Sequence, residues 1–147
     1  MTERWPGLAG RIGGGVHVMP VRVYYEDTDA GGVVYHANYL RFCERARSDC
    51  LRVLGVHQSA MPDLLFVVRR MVCEFLKPAR LDDLLEVETR FAELAGARLE
   101  LEQCVMKDAV PVFHARVTVA AIDAAGKPRR LPKDLAASLK SLSESAS

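Results

Sequence analysis

The sequence predicts an α+β fold, one long amphipathic helix lying against an antiparallel sheet of about five strands. Three observations carry this. A single stretch has apolar residues at three- and four-residue intervals; one strand-like alternating run precedes it and four follow it; and the later runs are joined by short turns, without the helical crossovers that parallel neighbours require. With 147 residues, 50% of them hydrophobic, the chain is long enough for one sizeable core and too short for two.

Residues 18–27 alternate in the strand sense, with Met19, Val21, Val23 and Tyr25 on one side and Arg22, Tyr24 and Glu26 on the other. They form the first expected strand, with Tyr25 on its apolar face. Thr28-Asp29-Ala30-Gly31-Gly32 has turn chemistry, since a glycine pair admits backbone angles that branched residues avoid. The helix follows, with Tyr39, Phe42, Cys43, Ala46, Cys50, Val53 and Leu54 along one stripe and Gly55 placed to end it in a left-handed cap. Residues 64–77, 84–93, 98–107 and 112–123 are the four later strands, and Gly96 and Lys107-Asp108-Ala109 mark hairpin turns between them. Leu99, Leu101, Gln103 and Val105 against Glu100, Glu102 and Cys104 predict a strand with one dry face and one wet face. A short helix within residues 131–142 is expected behind Pro132. Residues 1–17 are rich in glycine and lack a period, which predicts a flexible extension; the serine-rich residues 141–147 predict a flexible tail. Residues 18–140 are then the single domain, without internal repeats.

Charge narrows the partners. Twenty Lys+Arg against 19 Asp+Glu leave a formal charge of +1, which lacks the basic excess of a nucleic-acid binder, so an anionic ligand has to be held by local clusters of Arg or Lys. No apolar run approaches the roughly 18–20 residues of a membrane span, and residues 1–20 carry no apolar stretch of signal-peptide type. A cytoplasmic protein is expected. Cys43, Cys50, Cys73 and Cys104 form no C-x-x-C pair, and Cys43 and Cys50, seven apart on one helix, stand about 10 Å apart along its axis. Buried free thiols fit that pattern and a reducing compartment.

Chemistry concentrates at the first strand-to-helix junction, where Tyr25-Glu26-Asp27-Thr28-Asp29 is followed by Gly31-Gly32 and then Tyr35-His36-Ala37-Asn38. A helix N-terminus directs unpaired N–H groups and the positive end of its dipole at an oxyanion, and a nearby carboxylate can attack a carbonyl or activate water. The pattern therefore suits acyl transfer. The same residue types also cap helices and make turns, so the cluster alone leaves a purely structural reading open. As a metal cluster, Asp27, Asp29 and His36 lack a further ligand, and no metal is expected.

Residues 21–40, VRVYYEDTDAGGVVYHANYL, carry a more specific signal. With Glu44-Arg-Ala-Arg47, Phe66-Val-Val-Arg69, Pro78-Ala-Arg-Leu-Asp-Asp83 and Pro128-Arg-Arg-Leu-Pro132, they closely resemble the Tol-Pal system-associated acyl-CoA thioesterase family, a branch of the 4-hydroxybenzoyl-CoA thioesterase-like hotdog superfamily. The likeness covers nearly the whole expected domain, in order. It implies a hotdog fold, in which a curved antiparallel sheet wraps one long helix, assembled as a homodimer or homotetramer.

It also implies hydrolysis of acyl-CoA to a free acid and coenzyme A, with no cofactor beyond the coenzyme A of the substrate. Asp29 matches the family's essential carboxylate, the backbone N–H of His36 its oxyanion donor, and the Tyr25 and His36 side chains positions given catalytic roles. Asp29 either attacks the thioester to form a mixed anhydride or orients a water, and sequence does not separate the two. Coenzyme A phosphates call for Arg or Lys: Arg129 and Arg130 follow the last strand, Arg69 and Val68 lie within a strand nearer the pantetheine and acyl end, and Arg70, Lys77, Arg80 and Lys127 are further basic candidates. Glu44, beside Arg45 and Arg47, is expected in a helical surface ion pair. Two alternatives stand beside hydrolysis. One is a 3-hydroxyacyl thioester dehydratase, which the 29–36 block does not resemble; the other is a non-catalytic partner of acyl carrier protein or phospholipid-synthesis enzymes at the inner membrane.

Overall fold

The computed structural model describes residues 7–145. In chain order the elements are β1 (Arg11–Gly13), β2 (Val16–Arg22), α1 (His36–Val53), β3 (Leu65–Phe75), β4 (Leu84–Ala95), β5 (Arg98–Lys107), β6 (Val110–Ile122) and α2 (Lys133–Ser145), with short 3₁₀ turns at Tyr25–Asp27 and Gln58–Ala60. The strands form one six-stranded sheet in the order β1-β2-β4-β5-β6-β3, and every neighbouring pair is antiparallel.

The sheet has one strand more than the sequence pattern suggests, because residues 11–17 are not a loose extension. Gly14 and Gly15, with φ of 59° and 77°, form the two-residue turn that pairs Gly13 with Val16 and lays β1 along β2. Residues 1–6 of the expected extension lie outside the described residues. At the other end, residues 141–145 continue α2 rather than forming a tail, and residues 146–147 lie outside the described residues.

Helix α1 covers the inner face of the sheet with Tyr39, Phe42, Cys43, Ala46 and Cys50, all buried, and packs mainly on β2 and β4. The inner rows run across the strands through register, as in Val87↔Val105↔Phe113 and Phe91↔Leu101↔Val117. Tyr39 stacks on Phe113 at a centroid distance of 5.0 Å. Burying side chains of this size contributes about 1.5–3 kcal/mol each. The helix stops as expected: Gly55 takes φ of 87°, its N–H donates to the Arg52 carbonyl, and the Val56 N–H donates to the Leu51 carbonyl.

A buried amide fixes α1 over the sheet. Gln103, fully buried on β5, donates from Nε2 to the Cys43 carbonyl (3.0 Å) and to Thr89 Oγ1 (3.0 Å), while its Oε1 accepts from Arg47 Nη1 (2.9 Å). Each of these polar groups is partnered, so the network locates the helix without an orphan in the core. Cys43 and Cys50 are buried free thiols whose pKa values burial pushes up to about 12, which leaves them unreactive at neutral pH; Cys73 and Cys104 are half-buried rather than buried. Among the described residues, no helix is long and apolar enough to cross a membrane.

His17 ties down the segment before β1. It is 1% exposed, and its Nε2–H donates to the Ala9 carbonyl at 2.7 Å, while Nδ1 has no partner. Burial holds its pKa below the ordinary 6.5, against the opposing pull of the Ala9 carbonyl and the Asp49 carboxylate of α1. The fold therefore favours the neutral ring. Its contribution is complete above pH 6.5 and is lost as pH falls from there toward the lower folded value. A melting-temperature series should show this loss in the wild type, and His17→Gln, which keeps a donor for Ala9, should remove that component of the pH dependence.

Candidate active site

The chain leaves β2 at Arg22, earlier than its alternating pattern suggests, so Tyr25 does not stand on the inner face of a strand. It lies in the 3₁₀ turn and is 82% exposed, with its main-chain carbonyl accepting from the Thr28 N–H (3.1 Å) and hydroxyl (3.0 Å). Asp27 is the buried member of this segment at 4% exposure. Its Oδ2 accepts from the Tyr24 N–H (2.9 Å), its Oδ1 from Asn38 Nδ2 (2.9 Å), and its carbonyl from the Tyr35 N–H (2.8 Å). One carboxylate thus fastens the turn to the first turn of α1.

Between these anchors the chain makes a tight loop. Thr28 bridges to Val34, the Asp29 N–H donates to the Val33 carbonyl (2.9 Å), and the Gly32 N–H donates to the Asp29 carbonyl (3.0 Å). Gly32 takes φ of 76°, a conformation that glycine adopts without the steric cost of a Cβ. Asp29 Oδ1 accepts from the Gly31 N–H at 2.8 Å and more weakly from the Val33 N–H at 3.4 Å. The loop thereby holds one carboxylate oxygen and leaves Oδ2 without a hydrogen bond among the described residues, on an exposed side chain.

The loop delivers the chain into α1 at His36. Tyr35 is the N-cap and makes no side-chain capping bond, so the first N–H groups of the helix, His36 and Ala37, face outward while the Asn38 N–H closes back on the Tyr35 carbonyl (2.8 Å). The exposed His36 ring packs near Tyr35 (4.4 Å between centroids) and edge-on to Phe75 of β3 (6.2 Å). Val33 bridges to Arg80 and the Val34 N–H donates to the Ala79 carbonyl (2.8 Å), which sets Arg80 at the border of the loop. A carboxylate, an uncapped helix N-terminus and an imidazole are thus gathered by a frame of main-chain bonds.

The other expected ligand residues lie apart from this loop. Val68 and Arg69 are on β3, where the register with β6 shifts between Val68 and Arg70, and both are exposed. Arg129, half-buried, donates its N–H to the Ala121 carbonyl (3.0 Å), and Arg130 beside it is exposed. Among the described residues, no group of three His, Cys, Asp or Glu side chains is placed to hold a metal ion.

A cavity of about 130 Å³ opens between α1 and the sheet, lined on its floor by Phe66, Val68, Phe91, Leu99, Leu101 and Val119. Its helical wall is more polar, with Glu44, Arg47 and Ser48 beside Leu51. Glu44 faces this space and makes no ion pair with Arg45 or Arg47 among the described residues, contrary to the expected surface pair. The nearest helical lining residue, Glu44, is eight positions beyond His36, about 12 Å along the axis. The cavity and the Asp29–His36 loop therefore sit at different places along α1.

Comparison with known proteins gives a consistent family. The model of the thioesterase superfamily matches residues 31–114. The acyl-CoA thioesterase YbgC of Haemophilus influenzae is 46% identical over 127 residues, covering 84% of this chain and 93% of that protein. The acyl-CoA thioester hydrolase YbgC of Escherichia coli O157:H7 is 46% identical over 125 residues, covering 82% and 93%. Among solved structures, a probable thioesterase from Bartonella henselae superposes with a TM-score of 0.77 at 45% identity, covering 80% of this chain and 99% of that one. The chain belongs to the thioesterase superfamily, and its fold is the hotdog fold.

Proposed function

We infer that this protein is an acyl-CoA thioesterase, hydrolysing acyl-CoA to a free acid and coenzyme A. The observation that carries the reading is the Asp29–Gly32 turn, which holds an exposed carboxylate by one oxygen and ends three residues before the N-cap of α1, a helix start without a side-chain cap. The outward N–H groups of His36 and Ala37 and the helix dipole polarise the thioester carbonyl, and the oxyanion that forms gains charge where they point. Asp29, held through Oδ1, supplies Oδ2 either to attack the carbonyl carbon or to take a proton from an attacking water; both routes release the thiolate, a good leaving group that needs no strong acid at sulfur. The His36 ring borders the carbonyl site, and Tyr25 lies at its solvent rim. Arg69, Arg80, Arg129 and Arg130 are exposed or half-buried guanidinium groups suited to the phosphates of coenzyme A, and Val68 contacts the acyl group.

The working unit in this reading is a dimer. Strand β3 is a long free edge with exposed Leu65, Val67, Val68, Val72 and Phe75, a surface that pairing with a second copy would cover. Antiparallel pairing of two β3 edges about a two-fold axis near mid-strand brings Phe75 and the His36 it touches toward Phe66 and Val68 of the other copy. The cavity of each chain then serves the Asp29–His36 loop of its partner, which accounts for their separation along α1. Its 130 Å³ is close to the size of an engineered cavity that holds benzene, so it suits an acyl group of about six carbons.

Mixing two inactive variants tests the reading. Asp29→Asn removes the reacting carboxylate, and Ser48→Trp fills the cavity from α1. If the two halves of a site come from different chains, co-refolded variants recover about a quarter of wild-type turnover, because random pairing leaves one intact site in half of the dimers. No recovery beyond the sum of the two variants would place both halves in one chain.

A further inference from the structure

We propose that Phe91, backed by Leu99, is the partition that sets how long an acyl group the enzyme accepts, and that α2 forms the wall behind it. The proposal rests on the assignment of the cavity as the acyl chamber. Phe91 and Leu99 are the two residues that line both this chamber and a second space of about 280 Å³ on the far side, between β4, β5 and α2. That outer space is otherwise bordered by Glu93, Leu94, Leu139, Lys140, Ser143 and Glu144. Phe91 is 6% exposed and Leu99 3%, so side-chain atoms rather than solvent separate the two spaces.

The local backbone points the same way. Phe91 pairs with Leu101 at the edge of a register shift between Phe91 and Glu93, and Phe91, Glu93 and Leu94 border the outer space together with Leu139 of α2. Helix α2 packs over β4 through Leu135 and Leu139, both buried. Near the bulge, Ser143 Oγ of α2 donates to the Ala92 carbonyl at 3.5 Å. The outer space, in which Leu94 and Leu139 stand among Glu93, Lys140, Ser143 and Glu144, is thus divided from the chamber by the Phe91 and Leu99 side chains and bounded on its other side by α2. Shortening the Phe91 side chain joins the two spaces across the border they share at Phe91 and Leu99. Discrimination in such a pocket is set by whether each further methylene finds room.

The test uses S-alkyl-CoA thioethers of 4 to 16 carbons, which carry the acyl shape without a cleavable ester. Their Kd values are measured by calorimetry on the wild type, Phe91→Ala and Phe91→Leu, with circular dichroism confirming the fold. In the wild type, affinity rises with chain length to a break and then flattens or falls. In Phe91→Leu, which keeps most of the apolar volume, and more strongly in Phe91→Ala, the break moves at least two methylenes longer, and the long-to-short affinity ratio rises about tenfold or more. A break at the same length in the folded Phe91→Leu variant overturns the proposal. Absence of any dependence on chain length in the wild type overturns the assignment of the chamber as well. A shift of the break in a protein that cleaves no acyl-CoA supports the partition and refutes the thioesterase reading, so the two fail separately.

Discussion

Asp29→Asn is expected to lower kcat for acyl-CoA on the order of 10³-fold, the range of a lost general base or nucleophile, with a much smaller effect on KM. The structure separates this chemical loss from a folding defect. An asparagine carbonyl oxygen still accepts from the Gly31 N–H as Asp29 Oδ1 does at 2.8 Å, so the turn persists and the melting temperature stays within about 2 °C. Asp29→Ala loses the turn bond together with the carboxylate and melts lower than the asparagine variant. Equal kcat in the wild type and Asp29→Asn would remove the carboxylate from the mechanism.

Asp27→Ala acts by another route. The Asp27 carboxylate is buried and accepts two hydrogen bonds, from the Tyr24 N–H and from Asn38, itself 4% exposed; removing it leaves a buried amide donor without an acceptor. The expected cost is about 3 kcal/mol, with a fall in melting temperature of about 10 °C when both proteins are compared at one subunit concentration. Activity is expected to fall too, because only the main-chain bond from the Tyr35 N–H to the residue 27 carbonyl then ties the segment before Asp29 to the start of α1. Asp27→Asn distinguishes this from simple loss of charge. Its amide can accept at one position only and sets an N–H₂ group against a donor, so it recovers part of the stability at most. An Asp27→Ala protein with wild-type stability would show that the two bonds do not anchor the loop.

Much of this molecule is legible in its sequence where a single periodicity dominates. The α1 stripe from Tyr39 to Cys50, its Gly55 stop, the β5 alternation and the hairpin turns at Gly96 and at Asp108-Ala109 appear as the local patterns indicate, because each is a one-element feature, whereas at the end of the helix Leu51 is buried and the expected Val53 is exposed. Glycine-rich residues 11–17 mislead in the other direction. Their lack of period suggests a loose segment, yet Gly14-Gly15 is a two-residue hairpin turn between short runs, and that dipeptide is the signal that could have found β1. Tyr25 misleads by continuing an alternation after the backbone has left the sheet, and Asp27 looks like its neighbours until the turn folds it under α1.

The chamber is the least legible part. Phe66, Phe91, Leu101 and Val119 come from four different strands, so no local pattern marks them as neighbours, and Glu44 beside Arg45 and Arg47 resembles a surface ion pair. The motif around Asp29 is a different case. Its residues are close in sequence because a loop and a helix start are local structures, and resemblance to a known family therefore reaches them directly.

Thioester hydrolysis is tested most directly by release of free coenzyme A thiol by the full chain from acyl-CoAs running from short aliphatic through aromatic to long chain. The account predicts turnover that peaks at acyl groups near the size of the chamber and that disappears in Asp29→Asn. A folded wild-type protein that cleaves none of them, or that cleaves them equally well without the Asp29 carboxylate, would contradict it.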